Sequence, residues 1–155
     1  MTYAHAWIGL TKPKVYPCEA QDYSCLRQGW NWEDGTAHVN GDMPDSWCND
    51  CPNSKKQPSD AQEQCVSMNK YGWFAMPCKA EVKHACFCER SSSSGAEVQS
   101  EEGECPSGWR IWRDDCYLMT SVPTSSFTCP HRCGQYEAKL TSIVDKAEND
   151  LIANM

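Results

Sequence analysis

The sequence predicts an α+β domain of short strands and two helices, with a long irregular loop region and disulfide staples. Three observations carry that expectation. Twelve cysteines in 155 residues come close to the density at which a disulfide scaffold becomes the leading reading, and their number is even. The apolar runs that read as strands are short and separated by turn residues. Helical character is confined to a stretch leading to Cys133 and to the final segment. The length favours a single domain over 1–155. The cysteine content points to an oxidising compartment, so a secreted protein or one on the extracellular face of the cell surface is expected.

Taken in order, residues 6–10 (AWIGL) form an apolar run bounded by polar residues and proline, as a buried strand would. Residues 11–43 read mostly as loop. They are interrupted by GWNWEDG, in which Trp30 and Trp32 alternate toward one face before an Asp34-Gly35 turn. Residues 42–64 are polar and carry Pro44, Pro52 and Pro58, which excludes regular structure and makes this the long loop. Residues 65–68 and 71–74 read as a hairpin about Asn69-Lys70, and residues 84–89 alternate as a further strand. A serine-rich, then acidic linker spans 90–104. Short paired strands follow at 109–112 and 116–119. Ser125 or Ser126 is expected to cap a helix leading to Cys133, although Pro130 would remove a backbone donor if that helix began early. The last helix carries Val144, Ala147, Leu151, Ile152 and Met155 as an apolar stripe, with Asp145 and Glu148 suited to its first turn. Because that stripe runs to the last residue, the helix is expected to be cut near where it would have continued.

The formal net charge is −7 and the pI about 5.0, with no basic cluster among the aromatics, so nucleic acid and anionic membrane are poor partners. No stretch reaches the roughly 20 apolar residues of a spanning helix, and membrane insertion is not expected. The opening residues lack the basic-then-apolar pattern of a signal peptide. A competing reading is zinc, because Cys48-Asn-Asp-Cys51 has finger-like spacing and His84 stands near Cys86 and Cys88. No second pair repeats that spacing, and disulfides are preferred. His5, His38, His84 and His131 are scattered without a nucleophile or acid partner, so no enzyme is expected.

Together these residues resemble the C-type lectin-like domain, in a permuted order. The family opens with a Cys-Pro-x-Gly-Trp hairpin closing on Cys-Tyr, matched by Cys105 to Trp109 and Cys116-Tyr117. A helical cysteine before an Ala-x-Leu strand entry is matched by Cys133 and Ala138-Lys139-Leu140. A Glu-Asn pair in the second helix is matched by Glu148-Asn149, and the strand WIGL by Trp7 to Leu10. WIGL stands near the start of this chain and the second helix at its end, so the resemblance implies one circularly permuted domain in which two helices flank small antiparallel sheets. Residues 1–89 then form the family's C-terminal half, 90–104 a linker and 105–155 its N-terminal half. It also implies the bridges Cys88–Cys133, Cys65–Cys78 and Cys105–Cys116. Cys86 lies two strand positions from Cys88, and Cys129 one helical turn from Cys133, so a further bridge is expected there. Cys18–Cys25 and Cys48–Cys51 are the local expectations, with exchange among the four left open.

The resemblance further implies a recognition domain that binds a glycan, or an extracellular protein, through its long loop. In sugar-binding members a calcium ion is held there by carboxylates and amides. The matching positions here are Gln57-Pro58-Ser59, Glu63 and Trp73-Phe74-Ala75. Gln57, Glu63 and Asp60 are the available metal ligands, but Ser59 is a weak one, and Phe74 and Ala75 supply no side-chain oxygen. Calcium dependence is therefore expected to be weak or lost. Asp45, Asp50 and Asp60 read as a solvated loop surface. Trp47 and Tyr71, with Tyr16 and Tyr23, are the loop aromatics available for contact. Trp7, Trp30, Trp32 and Trp73 are expected in the core. The alternative function is a protein-binding, structural or adhesion module without a sugar site.

Overall fold

The computed structural model describes residues 5–13, 15, 17–35, 46–52, 54–91 and 105–155. Along the chain run β1 (Ala6–Thr11), α1 (Tyr23–Leu26), β2 (Asn31–Trp32), β3 (Cys65–Asn69), β4 (Gly72–Met76) and β5 (Lys83–Ser91). They are followed by β6 (Arg110–Trp112), β7 (Asp115–Met119), β8 (Thr124–Ser125), α2 (Cys129–Gly134), β9 (Lys139–Leu140) and α3 (Lys146–Ala153). The architecture is α+β with a mostly sheet core. No helix among the described residues is long and apolar enough to cross a membrane.

The sheet runs β4-β3-β1-β5-β7-β6, with β2 on β1 and with β8 and β9 on β5. The pairs are antiparallel except β1 with β5, which is parallel. That departs from the all-antiparallel expectation, and the reason is topological: a parallel neighbour needs a long crossover, and residues 12–82 supply it. β5 also continues through Arg90 and Ser91, which pair with Cys116 and Asp115. Two residues assigned to the linker are therefore strand, and 92–104 lie outside the described residues.

Local chemistry explains three smaller shifts. The β3–β4 turn falls at Lys70-Tyr71, because Asn69 pairs with Gly72 and the Asn69 side chain accepts the Tyr71 N–H at 2.8 Å, an Asx turn. The helix before Cys133 starts after Thr128 rather than at Ser125 or Ser126. Ser125 is in β8, and Pro130 falls in the first turn, where its missing N–H has no helical partner to lose. In α3, Asp145 is the N-cap and accepts the Glu148 N–H at 2.8 Å, so Val144 precedes the helix and is 61% exposed. Ala147 is exposed too, and the buried face is Glu148, Asn149 and Ile152. An unexpected single turn, α1, is capped by Asp22 and tied by Cys18–Cys25.

All twelve cysteines are paired, as Cys18–Cys25, Cys48–Cys51, Cys65–Cys78, Cys86–Cys129, Cys88–Cys133 and Cys105–Cys116. No thiolate remains for a Cys48–Cys51 zinc site. The core takes in Ile8, Leu10, Val66, Met68, Phe87, Tyr117, Ile143 and Ile152 with four tryptophans, Trp30, Trp32, Trp47 and Trp73. Trp7 joins the disulfides of Cys86 and Cys88 in a second cluster. Buried indoles need partners for their N–H. Trp7 donates to the Thr124 carbonyl at 2.8 Å, Trp30 to that of Leu26 at 3.0 Å and Trp73 to the Asn149 side chain at 2.8 Å.

Candidate functional site

The long loop is irregular yet fastened at its base. Trp73 N–H donates to the Ser46 carbonyl at 2.6 Å and Cys48 N–H to the Trp73 carbonyl at 3.0 Å, a parallel bridge joining Trp47 to Trp73. The close approach depends on Gly72, where a Cβ would lie 2.6 Å from the Ser46 carbonyl oxygen and where φ is +129°. Trp47 is buried between Trp30 and Trp73, with ring centroids at 5.1 and 5.6 Å. It anchors the loop and offers no ring to a ligand.

Gln57 is buried as well. Its N–H donates to the Cys48 carbonyl at 2.8 Å, its Oε1 accepts from Ala75 N–H at 3.0 Å and its Nε2 donates to the Lys55 carbonyl at 3.1 Å. The peptide to Pro58 is cis. The amide thus stands in for a neighbouring strand at β4, and its oxygen is directed inward. Ser59 and Glu63 find each other, hydroxyl to carboxylate at 3.1 Å. Burial pushes the Glu63 carboxyl up from its usual range, against the Ser59 hydrogen bond. Asp60 is exposed and caps the Gln62 N–H at 2.8 Å. Phe74 is buried on the other side of β4, edge-on to His5 at 4.7 Å, as alternation along a strand requires. Tyr71 is half-buried in the hairpin turn, with the Lys70 ammonium 5.1 Å from its ring centroid.

Of the expected ligands, the fold brings Ser59, Asp60 and Glu63 together but turns Gln57, Trp47 and Phe74 away. Among the described residues no group of three or more His, Cys, Asp or Glu side chains is gathered for a metal ion. The outer face of the loop presents Asn49, Asp50, Lys55 and Lys56. Beside them is Tyr23, whose ring carries the Lys56 ammonium at 4.5 Å and the Arg27 guanidinium at 5.8 Å. Tyr16 and Asp45 lie outside the described residues.

A second concave site was not expected. A cleft of about 330 Å³ is lined by Glu89, Trp112, Arg113, Tyr117, Lys139 and Glu148, among others. Glu89 and Glu148 are both buried. Glu148 accepts from the Tyr117 hydroxyl at 2.7 Å and from Val144 N–H at 2.9 Å. Glu89 accepts from Ser142 N–H at 3.0 Å and faces the Lys139 ammonium at 3.2 Å, which also holds Asp34. Burial raises the Glu89 carboxyl to about 7, against the Ser142 and Lys139 contacts, with Glu148 adding to the rise. Burial, then the Glu148 carboxylate, drive the Tyr117 phenol far up. No sequence signal marked this cleft, since Glu148 reads as a helix-start acid and Glu89 as the last residue of an alternating strand.

No family model matches the chain, and no solved structure matches it. The two surfaces therefore stand on their own chemistry: a fastened loop with a polar, mixed-charge outer face, and a cleft built around a proton-binding carboxylate.

Proposed function

We propose that this protein is an extracellular recognition domain of the C-type lectin-like kind in permuted order, binding a glycan through the 46–64 loop without calcium. The observation that carries the calcium-free reading is the inward-turned Gln57 amide. A hard cation needs six to eight oxygens, and the best amide donor of the loop is held by Ala75 and Lys55 backbone. The permuted reading is supported by β5 pairing with β7 and by Cys86–Cys129 and Cys88–Cys133, which join the segments on either side of the linker. It is further supported by Gly9 N–H donating to the Thr141 carbonyl at 2.9 Å, which sets the WIGL strand beside the entry to α3. Six disulfides support an oxidising, extracellular setting.

A second reading, a protein-binding or adhesion module, is favoured by the lysines and carboxylate on the outer face of the loop, which suit a charged macromolecular surface better than a neutral sugar. One experiment divides the two. The intact chain is applied to a glycan array in calcium and in EGTA, alongside calorimetric titration with calcium. Glycan binding equal in both buffers, with no calcium heat, supports the proposal. Binding lost in EGTA overturns the calcium-free part, and no glycan binding in either buffer overturns the sugar reading and leaves the protein module.

A further inference from the structure

Four donor atoms from four separate stretches of chain converge on one side of the sheet, away from the loop and the cleft. His5 immediately precedes β1, Ser67 is central in β3, Met76 ends β4 and His84 is the second residue of β5. His5 Nδ1 lies 3.0 Å from Ser67 Oγ, which lies 3.2 Å from Met76 Sδ. Met76 Sδ in turn is 3.1 Å from His84 Nε2. The two imidazole rings stand 5.1 Å apart. Phe74 walls the first at 4.7 Å and Trp7 the second at 5.0 Å, so the group is held in an apolar surround.

We propose that His5 Nδ1, Met76 Sδ and His84 Nε2 form a binding site for a soft monovalent cation, Cu(I) or its chemical counterpart Ag(I). The donor set selects the ion. Thioether and imidazole are soft to borderline ligands that suit Cu(I), whereas zinc takes thiolate, imidazole or carboxylate, and calcium and magnesium take oxygen. The spacing of one pair fits. Nitrogen and sulfur donors at about 2.0 and 2.3 Å from one ion lie about 3.3 to 3.5 Å apart at angles of roughly 100 to 110°, close to the 3.1 Å between Met76 Sδ and His84 Nε2. His5 Nδ1 reaches that pair through Ser67 Oγ, and the Ser67 hydroxyl must turn aside for it to join.

Protonation does not oppose ligation. Burial lowers both histidines, His5 to about 4 with the nearness of His84 adding to the effect, so both rings are neutral at pH 7 with a lone pair to give. Without metal, Asn69 Nδ2 approaches His5 Nε2 at 3.4 Å and Nδ1 is the partner of Ser67. Ligation through Nδ1 uses the neutral ring with its proton on Nε2, which leaves the charge of the side chain unchanged and displaces the Asn69 amide from Nε2.

The test titrates the intact chain with Ag(I), which needs no reductant and leaves the disulfides closed, while following methionine methyl groups by NMR. Met76 is expected to shift first and to saturate at one equivalent. Met76→Leu and His84→Gln should each weaken binding roughly ten- to hundredfold, while His131→Gln, on the exposed face of α2, should not. Wild-type affinity in Met76→Leu, or saturation without a Met76 shift, overturns the site. X-ray absorption of the wild-type chain loaded with Cu(I) in ascorbate decides independently of whether the variants fold. One sulfur and two nitrogen neighbours support the site, and a shell without sulfur overturns it.

Discussion

The long loop and the Glu89 cleft both bury polar side chains against the sheet, but with different chemistry. At the loop the buried group is a neutral amide, Gln57, which bonds to backbone on two sides. In the cleft two carboxylates, a phenol and an ammonium are packed together. A neutral amide in a matched backbone setting holds shape at any pH, because it has no proton to gain or lose. A buried carboxylate with a raised pKa ties shape to proton concentration. The contrast teaches that one is built as a fixed spacer and the other as a titrating joint.

The largest effect is expected at Gly72. Gly72→Ala places a methyl group against the Ser46 carbonyl and forces a positive φ on a side-chain-bearing residue, so the loop base must leave β4. The expected loss is about 3 to 5 kcal/mol, measured as a fall in the urea midpoint at unchanged slope, and equal at pH 5 and pH 8. The cleft behaves otherwise. Because the folded Glu89 binds its proton up to about pH 7, its contribution to stability is complete below about 4.5 and is lost as pH rises to about 7. That amounts to about 3 kcal/mol. His5, whose pKa is lowered to about 4, acts with the opposite sign, contributing above its ordinary value and losing that contribution as pH falls. The Glu89 part is therefore read as the difference between wild type and Glu89→Gln across pH 4 to 8. A parallel pair of stability curves would remove the titrating joint. The smallest effect belongs to Gln57→Leu, which leaves the Ala75 N–H and the Lys55 carbonyl without their partner, about 1 to 3 kcal/mol, with no pH dependence beyond that of wild type.

What was legible in the sequence follows from the range of the forces involved. Strands β3, β4, β5 and β7 and the local bridges Cys18–Cys25 and Cys48–Cys51 could be read, because alternation and close cysteine spacing act over a few residues. Cys65–Cys78, Cys88–Cys133 and Cys105–Cys116 came from the resemblance alone, and Cys86–Cys129 followed from its place beside Cys88–Cys133. Asp145 was placed in the first turn of α3 and proved to be its cap. Trp47 was not legible as core, because a tryptophan among prolines and aspartates has no period to declare which way it faces; only the Trp47–Trp73 bridge settles it. Gln57 was read as an outward ligand for the same reason. The parallel contact of β1 with β5, and with it the meeting of His5, Ser67, Met76 and His84, depends on the register of strands far apart in sequence. Glu148 was recognised as a helix-start residue, yet its burial follows from Tyr117 arriving opposite it.

β5 pairs with β1, β7, β8 and β9, and this has a kinetic consequence. Four of the bridges close over separations of 3 to 13 residues, so each can form inside its own segment. Cys86–Cys129 and Cys88–Cys133 span 43 and 45 residues and cannot close until α2 reaches the central strand. Such long-range closure is the slow part of assembling a sheet. Oxidative folding is therefore timed by one docking event, the arrival of Cys129 and Cys133 at β5, and a chain halted before it carries four correct bridges around an unclosed sheet.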